Sequence, residues 1–274
     1  MVNTHSPIGV FDSGLGGLTV LRALRKRLPH ESLIYVGDTA RVPYGPKSPD
    51  TVRRYASDIA DWLVAQGVKA IVVACNTATA HALADLRARL PIPVIGVIEP
   101  GARAAVDASH RGRGPIGVIG TAGTIASGAY ERAISALDAD AVVHVAACPL
   151  LVPLVEEGWV DHEATRLIVR DYLAPLRAEG LSTLVLGCTH YPLLAPVLAH
   201  ELGPSVDLID SADETARETA LCLSQAQLLR GPRSTPDIAD AVRFVASDDP
   251  ARFLALGRRF FGDEMSHVEH VAFA

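Results

Sequence analysis

The sequence predicts an α/β protein of two similar domains, each a mostly parallel sheet flanked by helices, related by a pseudo-twofold axis. Three observations predict it. Strand-length apolar runs alternate with segments of helical period along nearly all 274 residues, the pattern of crossover units feeding parallel sheets. Hydrophobic residues make up 49% of the chain but aromatics only 5%, which suits buried strands of small and branched residues under close-packed helices. One stretch also repeats another. Residues 58–75, DIADWLVAQGVKAIVVAC, align without a gap to residues 171–188, DYLAPLRAEGLSTLVLGC. Six of these eighteen positions are identical (Asp58/Asp171, Leu63/Leu176, Ala65/Ala178, Gly67/Gly180, Val72/Val185 and Cys75/Cys188), against about one or two expected from average composition.

Taken in order, the strand candidates are 8–12, 33–38, 69–75, 93–98, 115–120, 142–147, 183–188, 205–210 and 241–246. The first runs into a glycine-rich turn, Asp12-Ser13-Gly14-Leu15-Gly16-Gly17, and then a helix with the apolar stripe Leu18, Leu21, Leu24 and Leu28. Ser48-Pro49 caps and starts a second helix, with Val52, Ile59, Trp62 and Leu63 turned inward and Gly67 as its stop. Gly180 stops the repeated helix in the same way. Ile8-Gly9-Val10 and Ile116-Gly117-Val118 open corresponding strands, offset by 108 (116 − 8) against 113 (188 − 75) for the cysteines, so one duplication with small insertions accounts for both. Glu99-Pro100-Gly101 marks a crossing between domains and Asp210-Ser211 the return. The first domain is therefore expected at 1–98 plus 211–274 and the second at 99–210.

Charge and cysteine usage exclude several function classes. The net charge of −6 gives no basic footprint for nucleic acid, and Arg22, Arg25, Lys26 and Arg27 read as one solvated helix face. Met1 to Pro7 hold no apolar run of a secretory leader, and no uncharged stretch reaches membrane-spanning length. The four cysteines, Cys75, Cys148, Cys188 and Cys222, form no C-x-x-C pair, as expected for free thiols in the cytoplasm.

Cys75 and Cys188 end equivalent strands, and ligands bind at the carboxyl ends of strands in open α/β sheets. Two such thiols facing one cleft suit inversion of a stereocentre: one thiolate removes a proton from one face and the other thiol delivers a proton to the opposite face. A free thiol titrates near ~8.5, so both forms are within reach near neutrality. Without an electron sink, donors around the substrate carboxylate must stabilise the developing charge. Hydroxyl and amide groups follow each thiol, Asn76-Thr77-Ala78-Thr79 and Thr189-His190, and both stretches are expected to lead into helices. A lone cysteine at a strand end is more often a small core residue, which is the reading for Cys148 and Cys222; duplication lifts Cys75 and Cys188 out of it.

Other motifs carry a plain and a functional reading. The turn after Asp12 matches neither G-x-x-x-x-G-K-[ST] nor G-x-G-x-x-G, so a nucleotide site is weak, and Asp12 reads equally as a helix-start acid or a site residue. The stretch Asp38 to Pro46 is an ordinary surface turn or a rigid loop presenting backbone amides and Tyr44. In Gly120-Thr121-Ala122-Gly123-Thr124, Thr124 serves as a helix cap and Thr121 is better placed for a ligand. Zinc at Cys188-Thr189-His190 would need further close Cys or His ligands that the chain lacks, so no metal is expected. His190 reads as a proton partner of Cys188, or as a merely hydrogen-bonded histidine. Of Glu156-Glu157, one alone would face inward.

The segments GVFDSGLGGLTVLRAL, GDTARVPYGPKS, VVACNTATA, GVIEPG, GVIGTAGTI, VPLVEEGW and LGCTHYPLL, in this order between about residue 8 and about residue 219, together resemble the glutamate racemases. The last 55 residues carry little of that signature. The resemblance implies interconversion of L- and D-glutamate without pyridoxal phosphate or any other cofactor, supplying D-glutamate for bacterial peptidoglycan. It implies that Cys75 is the base toward D-glutamate and Cys188 toward L-glutamate. It places Asp12 beside the first thiol, and Glu156 with His190 beside the second. It assigns substrate contacts to Asp12, Ser13, Tyr44, Gly45, Asn76, Thr77, Thr121, Thr189 and His190, and, at the margin of its motifs, Pro43 and Thr124. Two alternatives stand beside it: a racemase of another acidic amino acid such as aspartate, and a non-catalytic amino-acid-binding or regulatory protein. Some members of the family bind DNA gyrase, which adds gyrase as a partner to consider. An exposed apolar helix face would serve a homodimer, though core burial explains the same pattern.

Overall fold

A computed structural model describes residues 2–112, 114–232 and 242–273. Its strands are β1 (Ile8–Asp12), β2 (Leu33–Gly37), β3 (Ala70–Val73), β4 (Val94–Gly96), β5 (Ile116–Gly120), β6 (Val143–Ala147), β7 (Thr183–Gly187), β8 (Asp207–Ile209), β9 (Val242–Ala246) and β10 (Glu269–His270). Its helices are α1 (Leu18–Arg27), α2 (Pro49–Ala65), α3 (Asn76–Arg89), α4 (Ile98–Gly112), α5 (Ala122–Ala126), α6 (Ala129–Ser135), α7 (Leu151–Glu156), α8 (Glu163–Ala178), α9 (Ala195–Leu202), α10 (Ser211–Gln225) and α11 (Pro250–Phe261). A 3-10 turn covers Tyr191–Leu194. The chain divides into two compact units, Met1–Val97 with Ala212–Ala274, and Ile98–Ser211.

The first unit holds a six-stranded sheet in the order β10-β9-β2-β1-β3-β4, with every pair parallel. Central strand β1 is wholly buried, and Phe11 lies opposite Val36 and Val73. This register brings Asp12, Asp38 and the residues after Val73 to one carboxyl edge. The Asp38 N–H donates to the Asp12 carbonyl at 3.1 Å, and the Ala74 N–H to the Phe11 carbonyl at 2.8 Å. The leucine stripe of α1 packs on this sheet, with Leu18, Leu21 and Leu24 fully buried. α2 turns Val52, Ile59 and Leu63 into the apolar cluster that holds Phe11, Val36 and Val73, and half-buries Trp62 against it.

The second unit holds a four-stranded sheet, β6-β5-β7-β8, again parallel throughout. Its order repeats that of β2-β1-β3-β4, so the duplicated segment is a helix and the strand that follows it in the same sheet position, α2–β3 and α8–β7. Gly67 and Gly180 end their helices with left-handed φ of 76° and 68°, where a side chain would be strained. β9 and β10 extend only the first sheet.

Several expectations change: the strands foreseen at 93–98 and 205–210 shorten to Val94–Gly96 and Asp207–Ile209. The strand foreseen at 69–75 stops at Val73, because Cys75 already caps α3 and Asn76 starts that helix. The two-residue β10 is too short to show a period of two and was not foreseen. Residue 241, the first of the strand expected at 241–246, lies outside the described residues. Among the described residues no helix is long and apolar enough to cross a membrane.

Candidate active site

In the first unit the site grows from the carboxyl edge of β1 and β3. Cys75 is 6% exposed and caps α3, where the Ala78 N–H donates to its Sγ at 3.4 Å. The N-terminal end of a fourteen-residue helix favours negative charge on that sulfur. Sγ also lies 3.8 Å from the Ser13 hydroxyl, which the glycine-rich turn after β1 delivers. Asp12 is 1% exposed; its Oδ2 accepts from the Gly14 N–H at 3.1 Å, and its Oδ1 has no hydrogen-bond partner among the described residues. A buried carboxylate oxygen left in that state suits a cation or a proton donor arriving with a ligand. Asp12 is not a helix cap: Gly17 holds that position in α1, with no side-chain bond. Tyr35 donates its hydroxyl to the Gly14 carbonyl at 3.0 Å. Burial first, then the nearby Asp12 and Cys75, push its phenol well above the ordinary value, so it stays a donor and ties the turn to β2.

Asn76 and Thr77 occupy the first turn of α3 rather than a loop before it, and both are buried. Tyr44 corrects an expectation. Its ring is buried, and its hydroxyl donates to Asp38, pushed well above the ordinary phenol value by burial and by that carboxylate. The loop therefore keeps Tyr44's side chain for itself. Pro43 is exposed and Gly45 half-buried.

In the second unit Cys188 follows β7 directly and is 6% exposed. Its Sγ lies 3.9 Å from His190 Nδ1, and His190 Nε2 lies 3.0 Å from Glu156 Oε1 at the end of α7. Thiol, imidazole and carboxylate thus form one line. Glu157, the C-cap of α7, is exposed, so Glu156 alone faces inward. Thr189 is buried beside this line in sequence. Thr121, not Thr124, is the cap of α5, accepting from the Thr124 N–H at 3.3 Å; Thr124 lies inside the helix with its hydroxyl 3.0 Å from that of Thr121. The residue directly after a strand is non-helical and so falls at the cap position.

Cys148 is fully buried. Its thiol donates to the Ala146 carbonyl at 3.8 Å and is pushed up to about 12 by burial and by Cys188. Cys222 sits half-buried in α10, its thiol raised mainly by burial. One contributor went unnoticed in the sequence. The buried Tyr191 donates its hydroxyl to the Cys148 carbonyl at 2.8 Å, and that carbonyl also accepts from Leu151 at the start of α7 at 3.2 Å. Tyr191 therefore ties the Cys188–His190 turn to the helix carrying Glu156. Its position directly after Cys-Thr-His was the only local signal.

Each unit so supplies one thiol with its own polar surroundings: a hydroxyl and a helix-start N–H at Cys75, and an imidazole backed by a carboxylate beside Cys188. Either thiol can exchange a proton with a weak carbon acid.

Residues 18–219 match the family model described as Asp/Glu/Hydantoin racemase. The chain is 53% identical over 265 residues to a glutamate racemase of Geobacter metallireducens, covering 97% of this chain and 96% of that one. Among solved structures it resembles a glutamate racemase isoform of Bacillus anthracis with a TM-score of 0.90 and 42% identity, covering 99% and 98% of the two chains. A glutamate racemase of Francisella tularensis, solved in complex with D-glutamate, matches with a TM-score of 0.90 and 37% identity over 98% of each chain.

Proposed function

The chain belongs to the glutamate racemase family, and we propose that it interconverts L- and D-glutamate by proton transfer between Cys75 and Cys188. The observation that carries the mechanism is the similar placement of the two thiols, each within two residues of the end of the strand next to the sheet's first strand and each beside its own polar partners. The reaction requires the two sulfurs to reach opposite faces of one α-carbon. With L-glutamate, the Cys188 thiolate takes the α-proton, and the C–H electron pair passes to the α-carbon and its carboxylate. The Cys75 thiol then gives its proton to the other face, forming D-glutamate. The two cysteines have exchanged protonation states, and D-glutamate runs the same steps in reverse.

His190, backed by Glu156, holds or returns a proton at the Cys188 sulfur. Asp12 is suited to the substrate ammonium group through its Oδ1, and Ser13 to the Cys75 sulfur. The amides and hydroxyls at the starts of α3 and α5, with Asn76, Thr77, Thr121, Thr124 and Thr189, suit the α-carboxylate, whose developing charge they stabilise. The backbone around Pro43, Tyr44 and Gly45 suits the side-chain carboxylate. The chemistry calls for no cofactor. A racemase of aspartate and a non-catalytic binding protein are less favoured, because relatives of about half-identical sequence are glutamate racemases and both thiols are present.

The product serves bacterial peptidoglycan, and the site of action is the cytoplasm, where the four free thiols persist. A homodimer and binding to DNA gyrase are the finer partner expectations, tested by sedimentation and by a gyrase supercoiling assay. The central experiment follows racemisation of glutamate and of aspartate by circular dichroism, with Cys75→Ala and Cys188→Ala as controls. The parent should racemise glutamate and each variant should be inactive. Parent-like racemisation by either variant would remove the two-thiol mechanism, and turnover of aspartate alone would overturn the substrate.

A further inference from the structure

The loop after β2 is built around a buried carboxylate. Asp38 is 0% exposed and follows Gly37 directly. Its Oδ2 accepts from Arg41 Nε at 2.7 Å and from the Tyr44 hydroxyl, and its Oδ1 accepts from the Ser247 hydroxyl at 2.7 Å. Ser247 follows β9, so two strands adjacent in the sheet are joined at their carboxyl ends. Ser247 Oγ in turn accepts from the Ala40 N–H at 3.0 Å, and the Asp248 N–H donates to Thr39 Oγ1 at 3.0 Å. Arg41 carries the network outward. Its Nη1 donates to Asp58 on α2 at 2.7 Å, and its guanidinium lies 4.2 Å from the centre of the Tyr55 ring and 5.1 Å from that of Phe273.

A carboxylate this deep is costly unless its charge and lone pairs are met. Here Arg41 meets the charge and three side chains meet the lone pairs, so the loop has one arrangement that satisfies them all. Every member of the cluster serves loop 38–46 or the elements beside it, and Tyr44 lies in the same apolar cluster as Cys75. None of the bonds named above uses the N–H of Tyr44 or Gly45.

We propose that Asp38 and Arg41, locked by Ser247 and Phe273 from the C-terminal segment, are positioning residues that hold the Tyr44–Gly45 backbone ready for the substrate's side-chain carboxylate. This rests on the functional reading above and extends it: the segment with least family signature sets substrate affinity without touching substrate. Preorganised amides lose little freedom when an anion binds, whereas a loosened loop must be ordered first. The effect therefore falls on KM, while the proton transfers at Cys75 and Cys188 keep their rate.

The test compares Ser247→Ala, Phe273→Ala, Arg41→Met and Arg41→Lys with the parent, using glutamate kinetics and amide hydrogen exchange. Ser247→Ala and Phe273→Ala are mild enough to fold where a change at Asp38 is not. Ser247→Ala should raise KM by about 10-fold, for loss of one charge-assisted bond, and Phe273→Ala by about two- to fivefold, for loss of one cation–π contact, each with kcat within about twofold. Arg41→Met should raise KM further, and Arg41→Lys should recover part of it, since lysine keeps the charge but not the fork. Amides of residues 39–46 should exchange faster in every variant that raises KM. If the parent racemises glutamate and the variants lose thermal stability with KM unmoved, the residues are structural only and the proposal fails. If the parent does not act on glutamate, the functional reading fails instead; unchanged exchange in the loop would then overturn the positioning role as well.

Discussion

Replacing Gly17 by alanine tests how closely the glycine-rich turn is fitted around Asp12. The backbone there is ordinary, with φ −62° and ψ −9°, so an alanine meets no conformational strain. Space is the obstacle. A Cβ at this position would lie 2.5 Å from Asp12 Cβ, 2.9 Å from Ala74 Cβ and 3.0 Å from the Tyr35 hydroxyl. Carbon atoms rest at about 3.5–4.0 Å, so about 1 Å of movement is needed on two sides. Neither neighbouring Cβ can turn away, because both are fixed to backbone at the ends of buried strands, and Tyr35 is itself bonded to Gly14. Overpacking of this kind costs about 1–3 kcal/mol. At roughly 2–4 °C per kcal/mol for a body of this size, the melting temperature should fall by about 2–12 °C. The turn must also shift relative to Asp12, and a displacement near 1 Å in a site can lower the rate by about 100-fold. Calorimetry and circular-dichroism racemisation measure the two effects on one preparation. Parent values for both would show that the turn has slack and refute the packing argument. A fall in melting temperature with kcat unchanged would refute the role given to the placement of Asp12.

Two further predictions concern the second unit. His190→Ala should lower kcat by about 10²–10⁴-fold, the usual contribution of a positioned acid–base group, and Glu156→Gln by less, because the amide still bonds His190. Glu157→Gln should leave kcat within about twofold, and equal effects at 156 and 157 would contradict the inward placement of Glu156 alone. Cys148 should make the fold sensitive to alkali. Burial, with the charge of Cys188 second, raises its thiol from 9.0 to about 12, so the folded state holds this proton more tightly than the unfolded chain. That contribution is complete below about pH 9 and is lost as pH climbs through about 12. Urea unfolding midpoints should drop across this window in the parent and less in Cys148→Ala; identical pH profiles would show that the thiol is not protected by burial.

Much of this protein was legible in its residue order. The repeated helix and strand, the glycine stops at Gly67 and Gly180, and the leucine stripe of α1 follow from periods of two and 3.6 and from local turn chemistry, which operate over a few positions. The prominence of Cys75 and Cys188 came from duplication, a comparison the chain makes with itself. Glu156 was different: pattern alone passed over it, and only the resemblance to a family singled it out.

Tertiary structure decided what each side chain meets. His190 and Glu156 are 34 positions apart and Asp38 and Ser247 are 209 apart, and no periodic signal spans such separations. It turned the Tyr44 hydroxyl inward onto Asp38, made Thr121 rather than Thr124 the cap of α5, and let Cys75 start a helix instead of finishing a strand. Local preference chose the elements. Sheet register and the demand that every buried charge find its partner chose the pairs, and that demand is met only when distant segments have already packed.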